Sequence, residues 1–213
     1  MIYMRLILVR HGETEWNRQS RIIGHTEIAL NDTGRKQAAL LAQALRDEKI
    51  SAIYASPLQR TRETAAEISC VLGIRVEYDD ALKEISAGDI DGLTFEEVAE
   101  RHSDFFKHWM RGDPALCLPG GESFKDLRNR TWPAVQRIIE KHPDDDVILV
   151  SHTLAIMSIV ASALDMKVED FRRIRLNVAS ISVLEFKDGK ASLLLFNDTC
   201  HWNGLKGIEG RVL

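Results

Sequence analysis

Cysteine is scarce in this chain of 213 residues. The three present, Cys70, Cys117 and Cys200, are odd in number, far apart and never spaced Cys-x-x-Cys. That argues against a disulfide framework and against a thiolate zinc site. An excess of basic residues is missing too: 28 Lys and Arg face 32 Asp and Glu, for a net charge of −4, which gives no reason to expect a nucleic-acid partner. No apolar run approaches the roughly 18 residues of a membrane helix, and no charged-then-apolar leader precedes the first predicted strand. The expectation is a cytoplasmic protein with no membrane partner. What remains is ordinary for a globular protein, 45% hydrophobic and 28% charged, with enough chain to bury a core in one large domain or two small ones. Any anion site must therefore be a local concentration of Arg and His on a mildly acidic protein.

Such a concentration begins at Arg10-His11. Leu6-Ile7-Leu8-Val9 reads as a short buried strand, and Gly12 is where the chain leaves it. Ligands of open α/β sheets bind at that carboxyl edge. An arginine offers a planar fork to an anion's oxygens, and a neutral imidazole is a nucleophile at physiological pH. Taken alone, an Arg-His pair after a strand is also what an ordinary surface turn looks like.

Further along, Asn31, Asp32 or Thr33 can cap a helix carrying Ala38, Leu41, Ala42 and Leu45. Ser51–Ala55 reads as a second strand. The turn at Ser56-Pro57 then places Arg60 in the first turn of a helix ending near Gly73, where free N–H groups also favour an anion. Arg62 reads as solvated helix face. A third short strand, Arg75–Tyr78, precedes Glu84 and a glycine-bearing loop. Residues 94–142 read as mainly helical, broken at Pro119-Gly120-Gly121-Glu122-Ser123, with Pro133 expected to kink the second part. Val147–Val150 is another buried strand, and Ser151-His152-Thr153 at its end repeats the placement of His11. Ser180–Phe186 and Ala191–Asn197 flank Lys187-Asp188-Gly189-Lys190, a hairpin signal, and are the only strands expected to pair antiparallel. The β-α alternation followed by a hairpin predicts a three-layer α/β/α domain with a mixed, mostly parallel sheet.

Arg10-His11-Gly12-Glu13-Thr14 with Asn17, the segment Arg21, Gly24, Leu30, Gly34, Gln37, Ala38, and the pattern Ser56-x-Leu58-x-Arg60-x-x-x-Thr64-Ala65 together closely resemble the histidine phosphatase superfamily, also called the phosphoglycerate mutase-like family. The resemblance covers nearly the whole chain and is weak beyond residue 197. It implies six strands and a single domain over residues 1–213, with a helical cap or insertion at about 94–125. It also implies a catalytic set of His11 as nucleophile, Glu84 as proton donor and His152, with Arg10, Asn17, Arg60 and Thr153 around the substrate. No metal or other cofactor is expected, because cationic side chains and N–H groups do what magnesium does elsewhere, and the partner is a small-molecule phosphate monoester. An apolar patch near residues 105–110 leaves room for a homodimer. A phosphoglycerate mutase-type transferase would share these residues; the Ile-Ser-Ala-Gly after Glu84, without added arginines, favours hydrolysis. A non-catalytic phosphate-ester binding domain is the alternative of a different class.

The sequence departs from the family pattern in three places. Glu27 stands where Asp is usual. Thr153 replaces a glycine, and would be strained if that position needed φ > 0. Met157 replaces an arginine. If Met157 faces the pocket, it lines it with an apolar wall and favours esters without a second anion; the competing placement is the core side of its helix, beside Ile156 and Val160.

Overall fold

A computed structural model describes residues 3–111, 116–167 and 174–202. The glycine-bearing tail, with Gly204, Gly207 and Gly210, lies outside the described residues. Six strands form one sheet: β1 (Tyr3–Arg10), β2 (Ile50–Ala55), β3 (Val76–Tyr78), β4 (Asp146–Ser151), β5 (Ile181–Lys187) and β6 (Lys190–Asp198), in the order β3-β2-β4-β1-β5-β6. The first four run parallel. β5 pairs antiparallel with β6 as expected, around a two-residue turn in which Asp188 and Gly189 both take positive φ. It also pairs antiparallel with β1. Two antiparallel ladders are therefore present where the hairpin alone was expected, because β5 lies between β1 and β6 in the sheet and runs against both.

The helices are α1 (Glu15–Arg18), α2 (Asp32–Ala44), α3 (Gln59–Leu72), α4 (Phe95–Arg101), α5 (Ser103–Arg111), α6 (Phe124–Lys141) and α7 (Thr153–Ala163). Strand side chains alternate faces, and the core divides accordingly. Met4, Leu6 and Leu8 of β1, with Val147 and Leu149 of β4, pack against Ala134, Val135 and Ile138 of α6 and Ile156, Ile159 and Val160 of α7. Ile7, Val9, Ile148 and Val150 pack the other way, on Leu41 and Ala42 of α2, Leu45 just past its end, and Ala65 and Ile68 of α3. Burial on both faces is why these strands read as unbroken apolar runs. A third cluster of Ile85, Ile90, Val98, Leu118 and Leu127 gathers beside the sheet, with Phe105, Phe106, Trp109 and Phe124 half-buried against it. Met110 stays exposed. α6 is continuous through Pro133. Asn31 supplies the cap of α2, accepting from Gly34 N–H at 2.8 Å. The N-terminus of α3 has no side-chain cap of its own. Glu27 reaches it from the preceding loop instead, accepting from Gln59 N–H at 2.6 Å. Among the described residues no helix is long and apolar enough to cross a membrane.

Candidate active site

β1 and β4 are neighbours in register, Arg10 opposite Ser151, so their chains leave the sheet side by side. The His11 N–H donates to Ser151 O at 3.1 Å, and the His11 and His152 rings meet edge to face with centroids 5.3 Å apart. β2 ends one strand over, where Ser56 N–H donates to Val150 O at 3.0 Å. The loop after β1 lies directly on the start of α2: a Cβ at Gly34 would stand 2.0 Å from Glu13 O, so no larger residue fits there. Three parallel strand ends thus deliver Arg10, His11, Ser56, His152 and, through α3, Arg60 to one spot.

That spot is dry. Arg60 and His152 are fully buried and Arg10, His11 and Glu84 nearly so. Burial lowers both arginines to about 10, which still leaves them cationic at neutral pH. Arg60 is held from three sides: Nε donates to His152 Nδ1 at 3.2 Å, Nη1 to Thr26 O at 3.1 Å and Nη2 to Gly24 O at 2.8 Å. Arg10 donates through Nη1 to Leu176 O, and its buried Nε has no partner among the described residues. A guanidinium carries five N–H donors, so both arginines keep donors free for an anion.

Burial, and then the charges of Arg60 and Arg10, push the His11 imidazole well below its ordinary pKa. Its Nδ1 lies 2.7 Å from Gly12 O, a pure acceptor, so Nδ1 carries the proton and Nε2 keeps its lone pair. His152 is likewise held neutral, by burial and then by Arg60. Its Nδ1 accepts from Arg60, which puts the proton on Nε2, 2.8 Å from Ser56 Oγ. Both of its ring nitrogens are therefore engaged within the protein.

Glu84 sits against the N-terminus of α7. Oε2 accepts from Leu154 N–H at 3.0 Å, while Oε1 accepts from Ala155 N–H at 3.2 Å and Ile85 N–H at 2.9 Å. Burial raises its pKa, although the backbone N–H groups and the two arginines oppose the rise. Oε2, with a single donor, is the oxygen free to hold a proton.

The remaining predicted residues fall differently. Asn17 closes the cap of α1: its Oδ1 accepts from Thr14 N–H at 3.0 Å and Thr14 Oγ1 at 2.9 Å, which leaves the amide NH2 as its donor. Thr153 opens α7 in helical conformation and lies outside the positive-φ positions, so the feared strain is absent. Met157 is buried in the same cluster as Ile156 and Val160. It is no pocket wall, and the argument for substrates lacking a second anion falls with it. The helical period explains this: positions 156, 157, 159 and 160 all face strands or α6. Ser56 was not singled out, although it stood in the quoted Ser-x-Leu-x-Arg pattern and holds His152. Arg62 lies on the surface as expected, donating to Pro57 O at 2.8 Å.

A three-layer sandwich that gathers histidine, arginine and a buried carboxyl at parallel strand ends is the frame of a phosphomonoesterase of the histidine phosphatase type. Residues 6–199 match the histidine phosphatase superfamily, branch 1, and the chain belongs to it. It is 35% identical to phosphoserine phosphatase 1 of Hydrogenobacter thermophilus over 198 residues, covering 93% of this chain and 94% of that one. The solved structure of Bacillus stearothermophilus YhfR superposes with a TM-score of 0.87 at 30% identity, over 93% of this chain and 98% of that one. That of a mycobacterial glucosyl-3-phosphoglycerate phosphatase gives 0.85 at 28% identity, over 92% and 100%.

Proposed function

We propose that this chain hydrolyses small phosphate monoesters by double displacement through a phosphohistidine at His11, without a metal ion. The observation that carries the reading is the His11 ring itself: neutral, its Nδ1 proton donated to Gly12 O, its Nε2 lone pair free beside two buried arginines. Nε2 attacks phosphorus, and the ring becomes an imidazolium whose charge the Gly12 carbonyl stabilises. The departing alkoxide takes the proton from Glu84 Oε2. In the second half Glu84, now a carboxylate, accepts a proton from water as that water attacks phosphorus. Cleavage of the N–P bond returns neutral His11 and protonated Glu84. Arg10 and Arg60 carry the charge on the equatorial oxygens, and Asn17 offers one more N–H. His152 serves the same group chiefly by holding Arg60. An arriving anion that draws the Arg60 Nε–H away frees the His152 Nδ1.

Among the described residues no group of three or more His, Cys, Asp or Glu side chains is placed to hold a metal ion. The substrate class follows from the relatives, whose names specify phosphoserine and glucosyl-3-phosphoglycerate, both phosphate monoesters of small organic molecules. The described part of residues 94–125, with α4 and α5, packs in one cluster with Ile85 and Ala155 next to Glu84, which supports reading it as a cap, within one domain, that helps choose among such esters. Phosphate release from a panel of small monoesters, with and without EDTA, tests the reading. Turnover unaffected by EDTA is expected, and turnover abolished by EDTA and restored by magnesium would overturn it.

A further inference from the structure

Arg130, on α6, lies outside every motif used so far, yet all five of its N–H groups are placed. Nε and one Nη2 proton grip Glu122 in a two-point fork, to Oε1 and Oε2 at 2.8 Å each. The other Nη2 proton goes to Glu84 O at 2.7 Å, and the two Nη1 protons to Ala81 O at 2.9 Å and Lys83 O at 2.8 Å. Glu122 then completes the grip from the other side. Its Oε2 accepts from Ser86 N–H at 2.8 Å, and its own N–H donates to Ser86 O at 2.9 Å. Carbonyls 81, 83 and 84 and both polar groups of residue 86 are therefore fastened to one ion pair, half-buried at about a fifth exposed on each side. Burial works against the Glu122 charge, but Arg130 and the Ser86 N–H hold its carboxyl below the usual carboxylate range. His25 adds a tie from the loop that wraps Arg60, with Nε2 2.8 Å from Glu84 O.

We infer that the Arg130–Glu122 pair is a positioning device for the proton donor, fixing the backbone that carries Glu84 so that its carboxyl meets the leaving oxygen. The inference rests on the reading of Glu84 as general acid. The geometry suits arginine alone. Three carbonyls and a carboxylate are reached by a rigid, planar fork, whereas a lysine ammonium has three donors at one point and cannot span them. A pair that merely stapled the loop for stability would be indifferent to the leaving group. A pair that aims the acid is not, because only a poor leaving group needs the proton.

The test compares kcat/KM for an alkyl phosphate and for p-nitrophenyl phosphate in Arg130→Gln, Arg130→Lys, Glu122→Gln and Glu84→Gln, with melting curves for each. General acid catalysis contributes about 10²–10⁴-fold. The expected result is a loss on the alkyl ester roughly ten-fold greater than on the nitrophenyl ester in Arg130→Gln, carried in kcat rather than KM. Glu122→Gln should show a smaller loss of the same kind, and Arg130→Lys only partial recovery. If Arg130→Gln shows no cooperative melt, Glu122→Gln and Arg130→Lys decide by the same ratio. Equal losses on both esters in these variants, with Glu84→Gln selective, would overturn the positioning role and leave the acid assignment standing. Equal losses in Glu84→Gln would remove the acid assignment, and this inference with it.

Discussion

Arg60 and His152 are joined by a hydrogen bond from Nε to Nδ1 at 3.2 Å, between two fully buried side chains. The bond fixes the tautomer of His152, so its Nε2 proton must go to Ser56 Oγ, 2.8 Å away. Ser56→Ala removes that acceptor and leaves a buried N–H unsatisfied, which costs about 1–3 kcal/mol. A lower melting temperature is expected, and, if the chain Ser56–His152–Arg60 acts on the phosphoryl end as proposed, kcat/KM reduced alike for alkyl and nitrophenyl esters. A variant as stable as the parent would show that Ser56 does not hold the ring.

Acid and clamp separate kinetically. Glu84→Gln should slow an alkyl phosphate at least about 10²-fold while sparing much of the nitrophenyl ester, since only the alkoxide needs a proton. Arg60→Ala should slow both by about 10²–10³-fold, the usual cost of losing one donor to developing charge. Leaving-group dependence of the reverse kind would exchange their roles.

The buried histidines tie stability to pH. Burial lowers His11 and His152 well below the ordinary 6.5, so below about 6.5 the unfolded chain binds protons that the folded one refuses, and stability falls as pH falls. Glu84 works in the opposite sense. Its folded pKa is raised, so the folded chain keeps a proton that the unfolded chain releases above about 4.5, and stability falls as pH rises through that range. As the pH falls towards about 4.5, Glu84 thus offsets part of the loss due to the histidines. Melting curves should show a steeper acid loss in Glu84→Gln than in the parent. An equal or shallower loss would contradict the raised carboxyl.

Met157 lies in the core, so its truncation should affect the fold and not the choice of substrate. Met157→Ala is expected to cost about 2–5 kcal/mol, read from denaturant unfolding. The ranking of substrates in a monoester panel should be unchanged. A reordered ranking without loss of stability would return Met157 to the pocket.

Arg10, His11, Arg60 and His152 were legible because each follows a local signal, an apolar run or a strand-to-helix turn, and parallel strands must bring such ends together. Glu84 needed the family resemblance, since nothing local distinguishes one glutamate before a glycine-bearing loop. The second antiparallel ladder, β1 with β5, joins segments more than 170 residues apart in the chain and has no local signature. Met157 stayed open between pocket and core because a substitution in a family pattern says what side chain is there, not which way the helix turns it. Arg130 and Glu122 went unread for a similar reason. Their partners at 81–86 lie some 40 residues upstream, and Pro119-Gly120-Gly121-Glu122-Ser123 looked only like a break between helices.

The central claim is a covalent bond between phosphorus and His11 Nε2. Brief exposure of the protein to a ³²P-labelled monoester, followed by quenching in alkali, should trap one acid-labile, alkali-stable phosphate per chain, mapped by peptide mass spectrometry to residue 11. The label should be absent from His11→Ala, whose melting curve still shows a cooperative fold. Phosphate turnover by His11→Ala at the parent's rate, or label found on another residue, would contradict the account.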